Sequence, residues 1–437
     1  MRHPLRTVAT VSAAAFVLLA VGAVFGLRET PGPAGAPAAV AVQAPADRLA
    51  DSVARAQERL RTLPGDYQTW AGLGLAYVEQ ARLTADPSLY PKAEGALRRS
   101  LKVRATDNPA ALVGLGALAN ARHDFAAARK FAKDALHGNP YNADAYGVLA
   151  DAETQLGDAP AATAAVQRML DLHPGLAAYA RASYDLEQRG RLAEAAELMR
   201  HALDAAVDPA DIAFCRNQLG DLAWFGGDVQ GASAEYTAGL AADPTYQPLL
   251  RGRARVAAAT GRIDTAIADA AAVAARTPTP DTLMEYAEFL RLGGRPAEAD
   301  RQLTLADAAH RIFVANGGRD DLTGALLALA RNDAPSAVKS AQSEWRRRPF
   351  ADVADVLGRA LHAAGRDAEA LPYASKAVAL GPRNAGYAYH LAMVSLSLGD
   401  QAGARAQLQR VHDLNPHFSP TDGPTAARAL SALEAQP

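Results

Sequence analysis

The residues able to do chemistry are few and scattered. Cys215 is the sole cysteine, which excludes a paired-thiolate metal site and any internal disulfide. A single small thiol on a helical stretch reads as a half-buried packing residue, with an intermolecular bridge in an oxidising compartment as the alternative. Ten histidines are dispersed along the chain. His412 and His417 are five apart across a predicted helix end, so they share no face and read as a solvated pair. Gly72-Leu73-Gly74 has the look of a phosphate loop but lacks a third glycine and a preceding strand. Neither a nucleophile elbow nor a zinc-protease helix is present. The residues therefore point to no catalytic, metal or cofactor site, and not to an enzyme.

What the sequence has instead is a ruler. Ala93, Ala128, Ala162, Ala196, Ala232, Ala266, Ala299, Ala337, Ala370 and Ala404 recur at gaps of 33 to 38 residues. Pro140, Pro174, Pro209, Pro244, Pro278, Pro349, Pro382 and Pro416 keep the same beat with one absence, each twelve or thirteen residues after its alanine. A period near 34 predicts stacked helix–turn–helix units, not one globular core. In the fifth unit Leu219, Gly220 and Ala223 fall at helical spacing, and Gly226-Gly227-Asp228 breaks the helix. Ala232, Tyr236 and Gly239 then share one face before Pro244 stops the second helix. Small residues mark the closest approach of paired helices, where a larger side chain would cost roughly 1–3 kcal/mol.

These marks resemble the tetratricopeptide repeat family. Trp70, Leu73, Gly74 and Tyr77, followed by Ala93, fit its Trp-Leu-Gly-Tyr first helix and its second-helix alanine. Leu219, Gly220, Ala232, Tyr236 and Pro244 fit likewise, as do Leu391, Ala404 and Pro416. Ten units in register are expected over 67–418, starting near 67, 109, 143, 177, 213, 247, 280, 318, 351 and 385. A leading helix is expected over 46–66 and a capping segment over 419–437, with a closing helix at Thr425–Leu433. The resemblance implies an all-α, right-handed superhelical solenoid. The first unit has a seven-residue insertion around Leu83–Tyr90, read as a longer loop. The widest interval, Ala299 to Ala337, predicts an overlong helix from Ala297 to about Ala315 ending at Asn316-Gly317-Gly318, and with it a kink before the last three units.

Length alone suggests about three domains, a prior that the repeats override. Net charge is −2, with +2 in the first 45 residues from Arg2, Arg6 and Arg28 against Glu29, leaving about −4 on the repeats. That is no footprint for nucleic acid. Only six of 45 basic residues are lysine and alanine dominates, a usage suggesting a high-GC bacterial genome. Arg2 and Arg6 precede an uncharged stretch from Val8 to Leu27, and twenty helical residues span about 30 Å, enough for a hydrocarbon core. The cations favour the cytoplasmic side, leaving the repeats outside the cytoplasmic membrane. The segment reads as an uncleaved signal anchor, or as a secretory signal cleaved after Ala41. Residues 31–45 then form a Pro/Ala-rich tether.

With chemistry absent, function is expected in a surface. The resemblance implies a concave groove lined by first helices that binds a protein or peptide. Residues at groove-like positions are Arg181, Asp185, Asn217, Asp221, Trp224, Arg251, Arg255, Glu288 and Arg291. Arg and Trp are favoured interface anchors. The alternative is solvated pairs four apart, as Arg181 and Asp185 could form. Leu322, Leu326, Leu329, Met393 and Leu396 make a corresponding apolar stretch, to be covered by a partner or by the C-terminal segment. The family's carboxylate clamp needs lysine beside asparagine, and lysine is absent between Lys133 and Lys339, so Asn217 does not make one. Two readings follow: an interaction scaffold recruiting partners outside the membrane, or an assembly factor or chaperone for exported or membrane proteins.

Overall fold

The computed structural model describes residues 45–379 and 383–435, within which there are twenty-two α-helices and no strand. A leading helix α1 (Pro45–Thr62) precedes ten helix pairs. The first five pairs are α2 (Tyr67–Thr84) with α3 (Tyr90–Val103), α4 (Pro109–Ala121) with α5 (Phe125–Gly138), α6 (Ala143–Gln155) with α7 (Ala159–Leu172), α8 (Leu176–Gln188) with α9 (Leu192–Ala205), and α10 (Pro209–Phe225) with α11 (Val229–Ala242). They continue with α12 (Gln247–Ala259) and α13 (Ile263–Arg276), α14 (Pro280–Leu292) and α15 (Pro296–Ala315), and α16 (Asp321–Ala330) and α17 (Ala334–Arg347). The last pairs are α18 (Ala351–Ala363) with α19 (Asp367–Ala379), and α20 (Ala385–Ser397) with α21 (Gln401–Leu414), closed by α22 (Asp422–Glu434). The fold is an all-α solenoid.

Local chemistry explains the repetition. Five of the ten second helices begin at an aspartate whose carboxylate accepts an orphan amide of the first turn: Asp124 from Ala127, Asp158 from Ala161, Asp228 from Gly231, Asp333 from Ser336 and Asp400 from Gly403. The residue before each of these has positive φ, being glycine in three units and His123 or Asn332 in the others. Reversal and restart thus occupy two residues, which keeps paired helices antiparallel and close.

The close approach is visible at Tyr236, which is 1% exposed. A Cβ on Gly220 or on Gly252 would lie 2.4 Å from its ring, so the ring fills the space that two glycines leave. Most alanines of the ruler are fully enclosed, including Ala93, Ala128, Ala232, Ala266, Ala299, Ala337, Ala370 and Ala404 at 0%. In the fourth unit the enclosed alanine is Ala195, and Ala196 is only partly buried, so the ruler there is one residue out of step.

The insertion in the first unit is mostly ordered rather than loop: α2 runs on to Thr84, and a 3-10 turn covers Pro87–Leu89. The long α15 has twenty residues, followed by Gly317 at positive φ. Met393 and Leu396 are partly buried against the cluster that the last helix pair forms with α22. No helix among the described residues is long and apolar enough to cross a membrane. The segment from Val8 to Leu27 lies outside the described residues.

Candidate functional site

The first helices α8, α10, α12 and α14 carry the expected groove residues, and the structure joins most of these to one another or to a neighbouring unit. Arg181 is 4% exposed and forms a two-pronged pair with Asp151, Nε to Oδ1 at 2.9 Å and Nη2 to Oδ2 at 2.8 Å. Asp185 is not its partner. The Asp185 carboxylate accepts from Thr163 Oγ1 at 2.8 Å and lies 3.4 Å from Arg189. Pairs along a single helix would have left the units independent, whereas Arg181–Asp151 ties the third unit to the fourth.

The same device continues along the array. Asp221 Oδ1 accepts from Arg255 Nη2 at 3.0 Å and from Tyr236 Oη at 2.8 Å, while its Oδ2 accepts from Asn217 Nδ2 at 2.9 Å. Arg251 Nε donates to Glu285 Oε2 at 2.7 Å. His390 Nδ1 lies 2.7 Å from Asp355 Oδ1, and Tyr387 donates to Asp352. These cross-unit pairs are 30 to 35 residues apart in sequence, one repeat period. Asp151, Glu285, Asp352, Asp355, Tyr387 and His390 were missed by sequence reasoning. The signal that could have found them is opposite charge one period away on successive first helices.

Trp224 departs from the expectation of an anchor offered to a partner. Its side chain is 5% exposed and packs with Tyr236, Leu249 and Val256, and its carbonyl accepts from Asn415 Nδ2 at 2.7 Å. Glu288 is 5% exposed, and its Oε1 has no hydrogen-bond partner. Arg291 is partly exposed and reaches the Ala330 carbonyl at 3.2 Å and Asp300 at 3.2 Å.

First helices and turns from distant parts of the chain line a solvent-open cavity of about 290 Å³. One wall is Arg82, Tyr90 and His123 from the first two units, and Phe313 closes it from the end of α15. The others are the N-terminal halves of α14, α16, α18 and α20, bringing Asp281, Leu322, Leu326, Asp352 and Tyr387. The volume suits one or two side chains of a partner or a small ligand, at the low end for ligand pockets.

Carboxyls around this interior are held away from their usual range. Glu187 is pushed up to about 8, first by burial and then by Asp221 and Asp352. Burial also raises Asp281 and Asp352, and burial with the nearby Asp422 and Glu285 raises Glu288. At Asp281, Asp352 and Glu288 burial outweighs the nearby Arg251, Arg348 and Arg359, which marks a poorly solvated interior.

The interior exists because successive turns of the superhelix touch. Arg348 Nη1 donates to Gln155 Oε1 at 2.6 Å across 193 residues, and the Asn415–Trp224 bond spans 191. Arg348 is also paired with the buried Glu344 and lies 5.3 Å from the centre of the Phe125 ring. Arg319 N donates to the Arg122 carbonyl at 2.8 Å, and its guanidinium is 3.1 Å from Asp124. Phe313 meets Tyr90 edge-on at 6.2 Å and the His123 ring at 5.2 Å. A constant offset of between five and six repeat units makes this a regular seam. The overlong α15 contributes to it directly, its last turn carrying Phe313 to the first two units.

No curated protein matches the chain. Among solved structures, the crystal structure of the APC/C hetero-tetramer Cut9–Hcn1 is similar at 16% identity and TM-score 0.41, over 89% of this chain and 82% of that one. A tetratricopeptide repeat protein from Parabacteroides merdae ATCC 43184 is similar at 15% identity and TM-score 0.36, over 59% of this chain and 98% of that one. The tetratricopeptide repeat family model matches residues 121–177 and 217–281, so in these stretches the chain is similar to tetratricopeptide repeats.

Proposed function

We propose that the protein is a non-enzymatic interaction scaffold that takes a segment of a protein partner into the interior of its superhelix. The observation that carries this reading is the cavity in that interior, lined by first helices and by poorly solvated carboxyls. The residues nearest this role are those of the chamber wall, Asp281, Leu322, Leu326, Asp352 and Tyr387, more than the mutually paired Arg251, Arg255 and Asp221. The proposal includes a site of action outside the cytoplasmic membrane, supported by Arg2 and Arg6 before the uncharged Val8–Leu27 stretch.

Crosslinking followed by affinity capture tests the scaffold. One stoichiometric partner, lost when Leu326→Glu fills the chamber with charge, is expected. Many unrelated clients together with suppressed aggregation would replace this reading with that of an assembly factor or chaperone. For topology, an alkaline phosphatase fused after Pro437 should be active, and an inactive fusion in cells that retain the full-length protein would remove the location.

A further inference from the structure

The charges around the cavity are unevenly matched. The carboxyls of Asp281, Asp320, Asp352 and Asp355 line it, together with the guanidiniums of Arg82, Arg348 and Arg359. Each guanidinium is already engaged by an acid. Arg82 holds Glu79 at 2.9 and 2.5 Å, Arg348 holds Glu344 at 2.5 Å, and Arg359 lies 3.9 Å from Asp355. The other three carboxyls have no guanidinium within ion-pair distance among the described residues. Asp352 accepts from the Tyr387 hydroxyl, and Asp320 accepts from Thr323 N at 3.0 Å with the His123 ring 3.9 Å away. Asp281 has neither a hydrogen bond nor an ion pair among the described residues, and Arg251, whose field reaches it, is held by Glu285 at 2.7 Å.

Helix N-termini on this wall would by themselves attract an anion. That attraction is already met from within the chain, by Asp281 and Asp352 in the first turns of α14 and α18 and by Asp320 at the N-cap of α16. An incoming anion would therefore meet carboxyls, whereas a cation would meet one that has no partner. Burial, together with Asp320, raises Asp281 against the field of Arg251. A positive charge beside it would restore the favourable surroundings that the ionised carboxyl loses on leaving water. Leu322, Leu326 and Val356 line the same cavity, and such apolar surface suits the methylene stem of a long basic side chain.

We propose that the cavity takes a lysine or arginine side chain of the partner segment, with its charge at Asp281 and its stem on Leu322, Leu326 and Val356. This rests on the reading of the cavity as the partner site, and adds the chemistry that the site selects. The cavity is open to solvent, so a basic side chain on an extended segment reaches it without rearrangement of the repeats.

The test is calorimetric titration of the full chain with blocked peptides Ala-Leu-X-Leu-Ala, X being arginine, lysine, citrulline or glutamate. Citrulline keeps the length of arginine and loses its charge. The arginine and lysine peptides should bind about tenfold more tightly than the citrulline peptide, and the glutamate peptide most weakly. Asp281→Asn should reduce the arginine peptide to the level of citrulline, and Asp352→Asn, whose amide oxygen still accepts from Tyr387, should remove part of the preference. Far-UV melts check both folds, and if neither variant folds, the ratio of arginine to citrulline on the parent chain decides alone. Equal affinities for arginine and citrulline, a tighter glutamate peptide, or no binding by any of the peptides would overturn the basic-residue site. So would a preference that survives Asp281→Asn in a folded protein. A captured partner without an arginine preference would sink this inference and leave the scaffold, and an arginine preference with no captured partner would do the reverse.

Discussion

Two glycines offer a matched pair of perturbations. Gly157 and Gly261 both sit at φ +78 in turns between paired helices. A Cβ on Gly261 would meet nothing within 4 Å, whereas one on Gly157 would lie 2.8 Å from the Pro349 carbonyl oxygen, across the seam. Alanine at either position incurs the left-handed backbone penalty, about 1–2 kcal/mol. At Gly157 the neighbour is backbone and has no rotamer to turn aside, so the seam must shift, at roughly 1–3 kcal/mol more. Gly261→Ala is therefore expected to cost about 1–2 kcal/mol and Gly157→Ala about 2–5 kcal/mol, the difference reporting the seam alone. Urea denaturation followed by circular dichroism measures both, and small-angle scattering should show a larger radius of gyration for Gly157→Ala only. Equal destabilisation with equal dimensions would refute the argument, since it would mean that the turns do not meet at Gly157 in solution.

Glu187→Gln should flatten a pH dependence. Its folded-state pKa is raised from 4.5 to about 8 by burial and by Asp221 and Asp352, so its stabilising protonated form is fully present below about pH 4.5 and lost as pH rises to about 8. The variant should gain on the order of a few kcal/mol over the parent above that window and little below it; parallel melting temperatures across the window would contradict this. Trp224→Ala should lose roughly 3–5 kcal/mol, since the indole is packed against Tyr236 and Leu249; a change in binding with an unchanged melt would restore Trp224 to the partner surface. Gly220→Ala should destabilise by about 1–3 kcal/mol through the Tyr236 ring, and Tyr236→Leu in the same chain should recover part of that loss in thermal melts.

The repeat, its helical period and its punctuation were legible because each is a local rule. A proline lacks a donor, an aspartate caps the next helix, and a small residue lets two helices approach, wherever the chain later travels. The overlong α15 and the closing α22 were legible for the same reason. The groove was legible only as a set of positions. Side-chain pairing there depends on the rotation between consecutive units, which set Arg181 on Asp151 instead of Asp185 and turned Trp224 into the core. The seam was not legible at all. Its partners lie more than 190 residues apart, as Arg348 and Gln155 do, and no spacing along the chain reveals them. Small rotations repeated over five to six units decide where one turn meets the next, and that sum belongs to the tertiary structure alone.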